Sequence, residues 1–257
     1  MQMKGFLADF TQEKNIRKVA GMSDVVMRSI DEDTMVLQML QHHEKNINMG
    51  LDDTRAPFFH DGVQHYLDNG YTVGTRNSGG RSVANDLGVL NFSLILQNNL
   101  SGAENYMMFF NFLKDALKPL NLEFKVGQVD GAYCPGKFDI SVNGKKVAGT
   151  AQRRIGNRVL VGCYLSVNGD QNKRSQIISD FYKITQDVIE VFPEKLTTLQ
   201  DEMKKPLEVE TVKNLLIEQF KKLTSSFSKL DLSTLDEDAI NQAMMRSKNQ
   251  DTKYLNR

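Results

Sequence analysis

The stretch KFDISVNGKKVAG, residues 137–149, constrains the fold more than any other part of the chain. Asn143–Gly144 supplies the two positive φ angles of a two-residue hairpin turn, between flanks with strand character. RIGNRVLVGCYLSV (154–167) follows, with a second tight turn at Gly156–Asn157 and a long apolar strand. Strands joined by turns this short run antiparallel, because a parallel crossover needs a dozen or more connecting residues. The chain is therefore expected to build a mixed, mainly antiparallel sheet with flanking helices, an α+β and not a doubly wound architecture.

The rest of the sequence fits around that sheet. YTVGTR (71–76), LGVLNFSLIL (87–96) and LEFKVGQ (122–128) read as further strands, the second apolar enough to be buried on both faces. MSDVVMRSI (22–30) reads as a short helix with Ser23 or Asp24 at its N-cap, and DGVQHYLDNG (61–70) as one capped by Gly70. Tyr106, Phe109, Phe110, Leu113, Leu117 and Leu120 recur at helical spacing, with Pro119 marking the end of that helix. HHEKNINMGLDDTR reads as a strand entering a turn, and the first residues of the chain read as irregular. Beyond about Phe192 the composition becomes helical and charged. Val212, Leu215, Leu216, Phe220 and Leu223 share one helix face, and Thr234-x-x-Glu237 has the form of a capping box. SSFSKLDLS between them reads as a polar linker. Residues 1–190 are thus expected to form the main domain and residues 191–257 a small helical appendage.

Charge narrows the functional classes. Lys+Arg and Asp+Glu both number 32, so no global field draws in nucleic acid or an anionic membrane. No apolar run approaches the ~20 residues that span a bilayer, and the N-terminus lacks a signal-peptide pattern. Two cysteines without secretory context favour free thiols in a reducing cytoplasm. His42, His43, His60 and His65 have no metal-ligand spacing with those cysteines, so no metal is expected.

Three segments carry chemistry. RNSGGRS (76–82) sets a glycine pair between two strands, either to cradle an oxyanion on exposed N–H groups or to satisfy the φ angles of a tight connection. Cys134 lies between Tyr133 and Pro135 in a loop ahead of the Asn143–Gly144 hairpin. The hairpin returns Lys145 or Lys146 towards it, and side-chain alternation puts one of them on the thiol's face. A cation there favours the thiolate, the reactive form of cysteine. The same residues also fit an inert loop thiol beside a solvated hairpin. Cys163, within VLVGCYLSV, reads as a small apolar core residue.

TRNSGGRSV, GAYCPGKFDISVNGKKVAGTAQRR and RVLVGCYLSVNGD stand in the order and spacing of the biotin/lipoate protein ligase and octanoyltransferase superfamily, which the chain resembles from about His42 to Tyr182. YCPGKFD followed by GKKVAG resembles its cysteine-dependent branch, and within that branch the amidotransferases that relay acyl groups between lipoyl domains. The resemblance implies the fold shared with biotin protein ligase and class II synthetases. It makes Cys134 the nucleophile that carries octanoyl as a thioester, and Lys146 the lysine that sustains its thiolate and contacts the acyl carbonyl. Arg76, Ser78, Gly79, Gly80 and Gly149 would bind the acyl substrate. The implied donor is octanoylated glycine cleavage H protein; the implied acceptors are apo lipoyl domains of 2-oxoacid dehydrogenase E2 subunits, with no cofactor. The alternatives are octanoyl transfer from acyl carrier protein, ATP-dependent lipoate ligation, and a non-catalytic lipoyl-domain-binding protein. Many relatives have a histidine after the glycine pair where this chain reads SVAND, so the resemblance does not extend to a histidine-based role there.

Overall fold

The computed structural model describes residues 3–76 and 80–255. Among the described residues, eleven strands and seven α-helices follow one another as β1 (Lys4–Asp9), α1 (Ile16–Ser29), β2 (Thr34–Gln41), β3 (Asn46–Met49), α2 (Phe59–Asp68), β4 (Thr72–Thr75), β5 (Val83–Asn85), β6 (Val89–Gln97), α3 (Gly102–Ala116), β7 (Phe124–Val126), β8 (Ile140–Val142), β9 (Lys145–Ile155), β10 (Arg158–Ser166), α4 (Gln171–Thr185), α5 (Leu199–Met203), α6 (Val209–Leu223), β11 (Ser226–Lys229) and α7 (Glu237–Leu255). The main sheet has the order β11-β1-β2-β6-β10-β9-β8-β7, and a small sheet has the order β4-β3-β5. Every neighbouring pair from β2 to β7 is antiparallel, whereas β1 runs parallel to both β2 and β11. The expected α+β class with a mainly antiparallel sheet is the one observed.

Turn chemistry fixes the centre of that sheet. Asn143 and Gly144 take φ of 50° and 75°, closing β8 onto β9 as the sequence predicts. β6 is buried on both faces because helices cover both. Leu94 faces the core beneath α3 and α6, and Ile95 the core beneath α1 and α7. The small sheet packs with α2 and α4 around Tyr66, Phe181 and Tyr182, and this third core also holds Tyr133, next to Cys134.

Several local expectations are corrected. Of the N-terminal stretch read as irregular, Met1 and Gln2 lie outside the described residues, and Lys4–Asp9 form strand β1, because parallel partners on both sides satisfy a backbone that its own sequence barely signals. α1 begins at Asn15, whose side chain accepts from the Lys18 N–H. Ser23 and Asp24 lie inside that helix, bonded to Gln38 and Arg153. The third helix is shorter than its apolar spacing suggests, ending at Ala116 before a separate 3-10 turn at Lys118–Leu120. α4 has no counterpart in the sequence reading. The polar stretch after α6 is edge strand β11, and Asp236, not Thr234, caps α7 by accepting from the Ala239 N–H. Of the α6 face, Val212, Leu216 and Phe220 are buried while Leu223 is exposed.

Candidate active site

Cys134 lies in the loop between β7 and β8 with φ of 45°, a left-handed conformation that costs a non-glycine residue on the order of 1 kcal/mol or more. Strain of this kind persists only where the surroundings hold it. Here the holder is Lys146. Its Nζ donates to the Cys134 carbonyl at 2.7 Å and the Tyr133 carbonyl at 3.0 Å, and pairs with Asp139 Oδ2 at 2.9 Å. Alternation along β9 would bury every second residue, yet Lys146, Val147 and Ala148 are all buried. The register shift between Ile140 and Ser141 explains this. Ser141 faces Lys146 while Ile140 faces Ala148, so a bulge re-aims the lysine inward. Lys145 stays exposed. Hairpin logic thus correctly brings one lysine to the cysteine, but the contact is with the backbone carbonyl.

Two other groups meet the sulfur. Arg81 donates its main-chain N–H to Cys134 Sγ at 3.4 Å, and Arg76 Nη2 lies 3.7 Å from it. Gly80, with φ of 89°, closes the triangle. A Cβ there would sit 3.1 Å from Arg76 Nη2 and 3.4 Å from the sulfur. Arg76 is steered by the Asn48 carbonyl at 2.7 Å and the Arg81 carbonyl at 2.6 Å. Gly80 donates its N–H to Asp52 Oδ2 at 2.7 Å, and Arg81 turns its side chain away to Asp187 Oδ2 at 2.5 Å. Beneath them Asp53, fully buried, accepts from Ser82 Oγ at 2.9 Å and Tyr182 OH at 3.0 Å. Burial pushes its carboxyl up, against the pull of those donors.

The expected site residues therefore gather in part. Cys134, Arg76 and Gly80 converge on the sulfur; Lys146 reaches Cys134 from behind; Gly149 lies beside Lys146 and Tyr164. A Cβ on Gly149 would come 2.5 Å from Tyr164 Cε1 and 3.2 Å from Lys146 Cε, so only glycine lets that ring lie flat there. Ser78 and Gly79 fall outside the described residues. Cys163 is buried in β10, and burial pushes its thiol well up, away from thiolate chemistry. Sequence reasoning missed Asp139 and the Arg81 N–H. Asp139 stands diagonally across the hairpin from Lys146, two residues before its pairing partner Ser141, so the turn register could have found it. The Arg81 contact joins residues 53 apart and left no local signal. Among the described residues no cluster of His, Cys, Asp and Glu could hold a metal, and no helix is long and apolar enough to cross a membrane.

The whole architecture, C-terminal elements included, is that of lipoate protein ligases. The structure described as a bi-partite lipoate protein ligase and its E2 lipoyl domain from Thermoplasma acidophilum superposes with a TM-score of 0.72 at 17% identity, covering 99% of this chain and 96% of that one. Residues 15–221 match the lipoyl protein ligase A/B catalytic domain, and the chain belongs to that family. The octanoyl-[GcvH]:protein N-octanoyltransferase of Oceanobacillus iheyensis is 33% identical over 230 residues, 86% of this chain and 82% of that protein. The lipoyl-[GcvH]:protein N-lipoyltransferase of Listeria monocytogenes is 38% identical over 146 residues, 56% of this chain and 52% of its own length.

Proposed function

We propose that the protein is a cysteine-dependent amidotransferase of protein lipoylation. It moves an octanoyl group from the lysine of octanoylated glycine cleavage H protein to a lysine on a lipoyl domain of a 2-oxoacid dehydrogenase E2 subunit. The names of the relatives support the donor. One observation carries the chemistry: Cys134 Sγ, half-buried and on a strained backbone, faces an N–H and a guanidinium together. A sulfur so placed suits nucleophilic catalysis with stabilisation of developing negative charge.

The thiolate attacks the amide carbon of the octanoyl-lysine, forming a C–S bond and sending the carbonyl electron pair to oxygen. Collapse of this tetrahedral intermediate breaks the C–N bond, and the departing lysine leaves as an amine with the proton given up by the thiol. The balance is thiol plus amide to thioester plus amine, with no nucleotide consumed. A lysine amine of the second lipoyl domain then attacks the thioester and returns the thiol. Gly149 and the loop at residues 76–80 would receive the acyl chain. The need for a reduced thiol supports a reaction in the reducing cytoplasm.

Incubation with octanoyl-H protein, octanoyl-acyl carrier protein, or octanoate plus ATP, followed by mass spectrometry of the Cys134 peptide, tests the reading. An octanoyl adduct from octanoyl-H protein without nucleotide is expected. Wild-type transfer by Cys134→Ala would falsify the covalent route. An adduct formed from acyl carrier protein alone would replace the donor.

A further inference from the structure

Three basic residues surround Cys134, and their partners differ in a way that divides their work. Lys146 is enclosed, its side chain fully buried, and its ammonium has three oxygens within 3.0 Å, as many as it has protons. One of those oxygens belongs to the Asp139 carboxylate, so its charge is matched on the spot. The Arg81 guanidinium is matched likewise, by Asp187 at 2.5 Å and Asp53 at 3.6 Å, and only its main-chain N–H meets the sulfur. Arg76 differs from both. Its guanidinium is oriented by two neutral carbonyls, of Asn48 and Arg81, and among the described residues it forms no ion pair. The nitrogen nearest the sulfur, Nη2, is the one fixed by the Arg81 carbonyl.

Charge left unmatched beside a nucleophile is available to whatever anion forms there. We propose that Arg76 is the catalytic cation of this site. It stabilises first the Cys134 thiolate and then, with the Arg81 main-chain N–H, the oxyanion of the tetrahedral intermediate. Lys146 is a positioning residue, holding the left-handed backbone of Cys134 so that the sulfur points at that pair. This assignment rests on the amidotransferase reading and goes beyond it, since the hairpin offered Lys145 or Lys146 for the electrostatic role, while the resemblance put that role on Lys146 and Arg76 in the acyl pocket. The planar fork of the guanidinium explains how one residue can hold two carbonyls and still reach the sulfur.

The test uses the full-length protein with Arg76→Ala, Arg76→Lys and Lys146→Met, and two readouts. The first is the rate of Cys134 alkylation by iodoacetamide at neutral pH, which needs no acyl donor and so remains informative if the proposed activity is wrong. The second is single-turnover thioester formation from octanoyl-H protein. Arg76→Ala should slow alkylation about tenfold and thioester formation by the 10²–10³-fold typical of a lost oxyanion donor. Millimolar guanidinium should restore both in Arg76→Ala but neither in Lys146→Met, and Arg76→Lys should retain part of each. Alkylation and acylation of Arg76→Ala within twofold of wild type would overturn the assignment. So would a folded Lys146→Met protein that alkylates at the wild-type rate yet has lost acylation while Arg76→Lys and Arg76→Ala keep it. A misfolded Arg76→Ala leaves Arg76→Lys to decide, with wild-type acylation by every folded Arg76 variant counting against the role.

Discussion

Replacing Lys146 with methionine isolates what a fully enclosed ammonium contributes. Its side chain and that of Asp139 are 0% and 2% exposed and lie 2.9 Å apart. Methionine fills a similar volume but leaves the Asp139 carboxylate without its cation, held only by backbone donors such as the Gly136 N–H at 3.0 Å. It also strips a donor from the Tyr133 and Cys134 carbonyls. Breaking a buried ion pair from one side costs about 3–5 kcal/mol, a large share of the ~5–15 kcal/mol that holds a domain folded. Urea unfolding at pH 7, followed by circular dichroism, should therefore show a loss of that size with an unchanged slope. The loss should also depend on pH. Burial pushes the Asp139 carboxyl up, and Lys146 opposes that rise. Without the lysine the carboxyl rises further, so the folded variant binds a proton that its unfolded chain, near the usual carboxylate range, does not. Stability then increases as pH falls through the folded value towards about 4, and the deficit narrows from pH 7 to pH 5. Asp139→Asn in the same chain should recover part of the loss at pH 7. A variant within about 1 kcal/mol of wild type, or a deficit that widens in acid, would refute the reasoning.

Three further perturbations follow from other contacts. Gly149→Ala brings a methyl within 2.5 Å of Tyr164 Cε1, and the overpacking should cost about 1–3 kcal/mol in thermal or urea unfolding; a neutral result would show that the ring moves freely. Burial pulls the His42 imidazole down to about 4. The unfolded chain thus binds a proton there between about 6.5 and 4 that the folded one does not, and about 3 kcal/mol of stability is lost as pH falls through that window; an NMR titration of His42 with a midpoint above 6 would contradict this. Asp251 of α7 accepts from both the N–H and the hydroxyl of Thr75 at 2.8 Å and pairs with Arg17 of α1. Asp251→Ala should cost about 1–3 kcal/mol and speed hydrogen exchange at Thr75 and along α7; unchanged protection at Thr75 would remove α7 from the support of β4.

Legibility in the sequence tracked how local each cause was. The Asn143–Gly144 turn, strand β6 and the Gly70 cap of α2, where φ reaches 77°, are set by neighbouring residues and were readable. β1 and β11 were not. Their ladders rest on backbone hydrogen bonds to partners distant in sequence, and the side chains of SFSK are mostly exposed. α4 carries Arg174, Ser175 and Ser179 buried on its inner face, where Arg174 bonds to Asp86, so polar residues hid a core helix. At the site, the hairpin placed Lys146 near Cys134 correctly. It could not show that the lysine would grip a carbonyl, because a bulge and a positive φ decide that. The meeting of Arg76 with the sulfur depends on a connection 58 residues long and lies beyond any local rule.

The parallel pairing of β1 with β11 also sets a timetable for synthesis. Lys4–Leu7 leave the ribosome well before their partners Ser226–Lys229, which follow some 220 residues later, roughly 10–45 s at typical elongation rates. Throughout that interval one side of β1 is an open sheet edge, able to pair with any other extended chain. The polar strand that finally covers it contributes little to the core, and its main service is to close this edge. A chain truncated before Ser226 would keep most of its apolar interior yet leave the nascent vulnerability in place for good, and such a fragment should associate through that edge while the full-length protein does not.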